Sequence, residues 1–166
     1  MKITGNPYNG PICNPEAEEL ACELCDKVGG ILLWQNEWLR IVRVDDLDYP
    51  GFCRVIWKAH RQEMSDLSPA ERHYCLDVVL ALEESLRVLY RPDKINLASF
   101  GNVVPHLHWH VVPRWRNDRH FPEPIWGQPR RDVRPARMLV PAAQLLAELT
   151  PRLDALTPPG GTADPS

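Results

Sequence analysis

His106-Leu107-His108-Trp109-His110-Val111-Val112-Pro113-Arg114 is the stretch on which the fold turns. Three of the six histidines of the chain fall here, each two residues from the next. Apolar residues fill the gaps, and strict alternation is the period of a β-strand. On a strand the three imidazoles share one face, with ~6.5–7 Å between neighbours. Leu107, Trp109 and Val111 then face the other way, into a core. Histidine ionises closer to neutrality than any other side chain, so such a face suits chemistry better than packing. Three readings compete. The strand is exposed and its histidines are idle, or all three bind one metal, or one is a ligand, one a nucleophile and one a helper. Idle histidines are the weakest reading, because buried polar groups need partners.

Working outward, Ile95 to Phe100 reads as the strand before it, joined by a turn at Gly101-Asn102. Upstream, Ile31–Trp34 and Trp38–Val44 flank Gln35-Asn36-Glu37 and read as a hairpin, and Phe52–Trp57 is a third strand. Ser68-Pro69-Ala70-Glu71 is a capping box with proline at the first helical position. Behind it Cys75, Val79, Leu82, Leu86 and Leu89 recur at helical spacing, with Leu76 and Leu80 widening the stripe, until Arg91-Pro92 stops it. Short helices are expected at Pro15–Leu20 and from Pro141 to Leu149, extending toward Leu156. Residues 115–137, rich in Pro, Arg and Trp, show no period. Strands with short links and one long helix predict an α+β domain on an antiparallel sheet. The expected division is an N-terminal extension at 1–20, the domain at 21–150 and a disordered tail at 151–166.

A chain of 166 residues fits one domain. Hydrophobic and charged contents of 44% and 25% are those of ordinary globular proteins. No apolar run approaches the ~20 residues of a membrane helix, and residues 1–14 carry no apolar signal core. A cytoplasmic protein without a membrane partner is therefore expected. A net charge of −3 argues against generic nucleic-acid binding. Yet Arg114, Arg116, Arg119, Arg130, Arg131, Arg134 and Arg137 outnumber Asp118, Glu123 and Asp132 just after the histidines. That local field suits a phosphate-bearing substrate, although for any single arginine a solvated loop is as good a reading.

The five cysteines are Cys13, Cys22, Cys25, Cys53 and Cys75, an odd number that argues against a disulfide framework. Cys53 and Cys75 lie in apolar patterns and read as core. Cys22-x-x-Cys25 has the spacing of a zinc knuckle, which needs two more ligands. His60, ending the third strand, and His106, beginning the histidine strand, complete a Cys2His2 set. Four protein ligands close the tetrahedron, so this zinc would be structural, one per chain. Binding by His106, His108 and His110 ranks lower, because alternate residues of a flat strand rarely converge on one ion. A thioredoxin-like use is disfavoured because that motif opens a helix after a strand.

The pattern resembles the signature of the histidine-triad (HIT) nucleotide hydrolases and transferases. Gly101-Asn102-Val103-Val104-Pro105 stands where that family has its Gly-Gln-Ser/Thr approach to the triad. The run from Lys58 to Leu67 resembles its strand exit before the long helix. Cys22-Glu23-Leu24-Cys25 is similar to the Cys-x-x-Cys of its zinc-containing, diadenosine polyphosphate hydrolase-like bacterial branch, and Pro113-Arg114 follows the triad as in bacterial members. The resemblance covers roughly residues 20 to 115.

This resemblance implies the HIT fold, a five-stranded antiparallel sheet covered by one long helix with short terminal helices, and usually a homodimer. It implies transfer of a nucleotide from its α-phosphate to His108, then hydrolysis, with His110 contacting phosphate. Diadenosine polyphosphates and adenylylated amines are the implied substrates. His108 would need an acceptor, such as a backbone carbonyl, on its second nitrogen to hold the tautomer. Cys22, Cys25, His60 and His106 match the zinc ligands. Asn102 replaces the family's glutamine and still offers an amide to phosphate, while Val103 replaces its hydroxyl. Gly51-Phe52 stands where many members have Gly-His. Asp45 or Asp46 would meet the ribose. Two other classes remain: a nucleotide-binding scaffold with little turnover, and a metal-dependent hydrolase using all three histidines.

Overall fold

Five strands pair antiparallel in the spatial order β1-β2-β3-β5-β4. They are β1 (Ile31–Gln35), β2 (Leu39–Arg43), β3 (Cys53–Trp57), β4 (Lys94–Ala98) and β5 (His108–Arg114). The helices are α1 (Glu23–Asp26), α2 (Pro69–Tyr90) and α3 (Ala142–Asp154). This computed structural model describes residues 22–132 and 136–160. The proposed extension at 1–20 with its helix at Pro15–Leu20, together with Cys13, Arg134 and residues 161–166, lies outside the described residues.

Local chemistry accounts for the β1–β2 turn and for both ends of α2. The Asn36 side chain accepts from the backbone N–H of Trp38 (2.9 Å) and Leu39 (3.0 Å), closing the β1–β2 hairpin. At the start of α2, Ser68 Oγ accepts from Glu71 N–H (3.4 Å) and Glu71 returns the bond to Ser68 N–H (2.7 Å). Arg91 ends the helix in a left-handed conformation, with φ 44°. Gly51 sits at φ +86°, and a Cβ there would lie 2.7 Å from the Tyr90 ring, so only glycine fits both constraints.

Alternation sorts each strand onto two faces. Leu39, Ile41, Cys53, Val55, Trp57, Ile95, Leu107 and Val111 join α2 and α3 in the main core. Half-buried Trp109 packs against it. Cys53 and Cys75 are buried there, as expected. Tyr74, Val78, Ala81 and Ser85 widen the buried stripe of α2. The expectation for Leu76 and Leu80 was wrong: they are 39% and 48% exposed. Spacings of three and four leave two directions open for widening, and the sheet lies on the other one. The boundary expected at 150 also falls inside α3, whose Leu153 reaches the core.

The opposite face of the sheet carries the histidines. Across the strands Val42 pairs with Arg54, Arg54 with His110, and His110 with Ala98; one step along, Arg40 pairs with Ile56 and Ile56 with His108. Paired residues share a face. Leu24 of α1 packs on Val42 and Ile56. The described part of 115–137 contains no helix or strand, and it folds back through Arg114. Arg114 pairs with Asp118 (2.7 Å), and donates to Asn96 Oδ1 (2.6 Å) and the Glu123 carbonyl (2.8 Å).

Candidate active site and metal centre

β5 begins at His108, so the three histidines do not share one strand. His106 precedes it, anchored where Leu107 N–H donates to the Arg61 carbonyl (2.7 Å) and Trp57 N–H to the Leu107 carbonyl (3.1 Å). This break separates their environments. Fully buried His106 donates Nε2–H to the Trp57 carbonyl (2.6 Å). The carbonyl needs a proton on Nε2, so Nδ1 keeps its lone pair. That nitrogen faces Cys22 Sγ at 3.3 Å and Cys25 Sγ at 3.5 Å. His60 Nδ1 lies 3.4 Å from Cys25 Sγ.

One donor atom from each of Cys22, Cys25, His60 and His106 falls within 4.8 Å of every other. Tetrahedral zinc at ~2.3 Å from sulfur and ~2.0–2.1 Å from nitrogen puts neighbouring ligands roughly 3.3–3.8 Å apart. The three separations of 3.3, 3.4 and 3.5 Å fall in that range, and the four residues are the set expected from spacing. Burial and the adjacent Cys22 push the Cys25 thiol up from its ordinary value; a cation at the site reverses that balance. Buried Arg40, which the sequence reading missed, holds the loop. Its Nε donates to the Val28 carbonyl (2.9 Å) and its Nη2 to the carbonyls of Leu24 and Lys27. Its position on an apolar strand carried no signal.

His108 is set differently. Its Nδ1–H donates to the His106 carbonyl at 2.6 Å, the acceptor anticipated for it. Ser99 Oγ–H donates to the carbonyl of His108 itself (2.8 Å), pinning the strand at this residue. Nε2 therefore carries a lone pair, and it makes no hydrogen bond among the described residues. Burial pushes the His108 imidazole below its ordinary range, as it does for His106. The ring stays neutral, as a nucleophile requires.

His110 lies 4.7 Å from His108 between ring centroids and is caged by Phe52, Phe100 and Trp126 at 5.7, 5.9 and 5.0 Å. Burial first, then the electrostatic influence of the neighbouring His108 and Arg54, pushes its pKa down to about 3. Its Nδ1 is buried without a partner. An orphaned N–H is the rarer defect in an interior, so the proton belongs on Nε2. A cavity of about 560 Å³ opens beside Phe100 and Trp126, along β4.

Asn102 and Asp45 sit exposed on loops, and neither shares a hydrogen bond with His108 or His110 among the described residues. Asp46 accepts from Asp48 N–H (2.8 Å) and Tyr49 N–H (3.3 Å) through Oδ1 in its own turn, while Asp45 is exposed. The basic segment behaves otherwise than its composition suggests. Arg114, Arg119 and Arg130 pair with Asp118, Asp48 and Glu123, and Arg131 donates to the carbonyls of Asp118 and Phe121. The cation beside the triad is instead Arg54 of β3, opposite His110.

The HIT domain profile matches residues 30–117. A search of curated proteins finds no match. Among solved structures, a histidine triad protein from Marinobacter aquaeolei VT8 is similar at 26% identity and TM-score 0.62, over 81% of this chain and 96% of that one. One from Sinorhizobium meliloti 1021 is similar at 22% identity and TM-score 0.61, covering 74% and 91%. A zinc-bound histidine triad family protein from Mycobacterium smegmatis is similar at 23% identity and TM-score 0.55, covering 82% and 98%.

Proposed function

The chain belongs to the HIT domain family, and on that premise we propose that it hydrolyses or transfers nucleotides at the α-phosphate, with His108 as the nucleophile. One observation carries the reading. Burial keeps His108 neutral, and the bond from Nδ1–H to the His106 carbonyl fixes the tautomer that leaves the lone pair of Nε2 free. Nε2 attacks the α-phosphorus of a diadenosine polyphosphate or adenylylated amine. The phosphorus–oxygen or phosphorus–nitrogen bond to the leaving group breaks, and that group takes a proton from solvent. Water then attacks the phosphorus of the nucleotidyl-histidine, the phosphorus–nitrogen bond breaks, Nε2 recovers its lone pair and the proton of the water returns to solvent.

The neighbours supply charge stabilisation. His110 donates Nε2–H to a phosphoryl oxygen, and the Asn102 amide closes on the phosphate when the substrate is bound. Asp45 accepts from the ribose hydroxyls. Cys22, Cys25, His60 and His106 would hold a zinc ion, which supplies a structural cross-link between α1, β3 and the start of β5. His106 is thereby removed from the chemistry.

A fluorogenic adenosine phosphoramidate tests the proposal. The wild-type protein should release the amine, and rapid acid-free quenching should capture an adenylyl adduct on His108 by mass spectrometry. His110→Ala should lower kcat by roughly 10²–10³-fold, the usual cost of one oxyanion donor. Full turnover with the adduct on another residue would sink the assignment.

A further inference from the structure

Four arginines lie on the strands, and three of them are spent; Arg43 donates Nη1–H to the Val140 carbonyl at 3.0 Å. Arg40 places its donors on the carbonyls of Leu24, Lys27 and Val28. Arg114 places its own on Asp118, Asn96 and the Glu123 carbonyl. Arg54 is different. It is the one charged residue of β3, among the buried Cys53, Val55, Ile56 and Trp57. Its Nη1–H donates to the Gly29 carbonyl at 3.2 Å, which steadies the guanidinium, while its Nε–H is buried with no acceptor. No carboxylate lies within ion-pair distance of it among the described residues. A half-buried guanidinium with unused donors is costly unless an anion arrives.

Its place says which anion. Arg54 pairs with His110 across β3 and β5, on the face that also carries His108. The Phe52 ring backs its guanidinium at 5.8 Å. A phosphoryl group within reach of Nε2 of His108 and of His110 has this cation on its flank. We propose that Arg54 binds the phosphate of the nucleotide, so that the site selects phosphorylated ligands over the bare nucleoside. The inference rests on the nucleotide reading above and assigns to β3 a role that the motif around the triad does not include. The guanidinium also takes over the phosphate contact that Val103, 92% exposed and without a polar atom in its side chain, does not make.

Calorimetric titration of the full, zinc-loaded chain with AMP and with adenosine tests it. Losing one charge-assisted contact should weaken AMP by about ten- to a hundredfold in Arg54→Leu. Adenosine should bind wild type and variant alike. Arg54→Lys, which keeps the charge and the stem, should recover part of the loss. Should Arg54→Leu fail to fold, Arg54→Gln carries the same comparison. Equal AMP affinity in wild type and variant, or equal weakening of AMP and adenosine, would overturn the role of Arg54 and leave the nucleotide reading intact. A wild-type protein that binds neither ligand would overturn both.

Discussion

At His110 the surroundings decide the protonation state. Burial among Phe52, Phe100 and Trp126, with the electrostatic influence of His108 and Arg54 adding, pushes the pKa down to about 3, against ~6.5 in an unfolded chain. Between those values the unfolded chain binds the proton and the folded chain does not. Stability is therefore whole above pH ~6.5 and is lost as pH falls toward the folded pKa, by up to ~1.4 kcal/mol per pH unit for one such group. His110→Phe removes this share while His106 and His108 keep theirs. The melting temperature of the variant should fall less steeply than that of wild type between pH 6.5 and pH 4. Parallel slopes would show that His110 is not held neutral. At the same scale the division among the three histidines comes from single hydrogen bonds: Nε2–H of His106 to Trp57, and Nδ1–H of His108 to His106.

Among the elements, α1 is the smallest and the most dependent on a ligand. Its four residues bury only Leu24, and helices this short do not stand on propensity. The Cys2His2 cluster and the three carbonyl contacts of Arg40 hold it down. Cys22→Ala should drop zinc content from about one per chain to near none, and lower the melting temperature, whereas Arg40→Met should lower the melting temperature with zinc retained. Full zinc occupancy in Cys22→Ala would move the metal elsewhere. The sequence makes the helix α2 legible because its signals are local: the Ser68–Glu71 box and the Arg91-Pro92 stop work within one turn. The four residues of the candidate zinc cluster were legible because Cys-x-x-Cys asks for two partners and few histidines lie at strand ends. Arg54 was not. A lone arginine between apolar neighbours reads as noise until register places it opposite His110. The sides of Leu76 and Leu80 were hidden for the same reason, since helical spacing alone does not say where the sheet lies.

For the molecule as a whole, the open question is which surface remains unpaired. β4 ends the sheet, and its Leu97 is 38% exposed; Leu76 and Leu80 of α2 are exposed as well. A free edge next to apolar side chains is a pairing surface. We propose that a second copy covers it, giving the homodimer the resemblance implies. Sedimentation should report twice the chain mass, and Leu97→Glu should shift the protein toward monomer; a wild-type monomer at micromolar concentration would contradict this. No described helix is long and apolar enough to cross a membrane. The arginine-rich segment, suggestive by composition of a field for substrate, is mostly a structural strap. Its charges close on Asp118, Asp48 and Glu123; Arg114 and Arg130 find partners nearby in the chain, whereas the Arg119–Asp48 pair is one that no local pattern records.

The central claim is that one histidine does the covalent chemistry while its neighbour two residues earlier binds metal. It is tested most directly by measuring phosphoramidate turnover and zinc content together in His108→Ala. The account predicts turnover at background with about one zinc per chain and an unchanged melting temperature. Retained turnover, or loss of the zinc along with the activity, would contradict it.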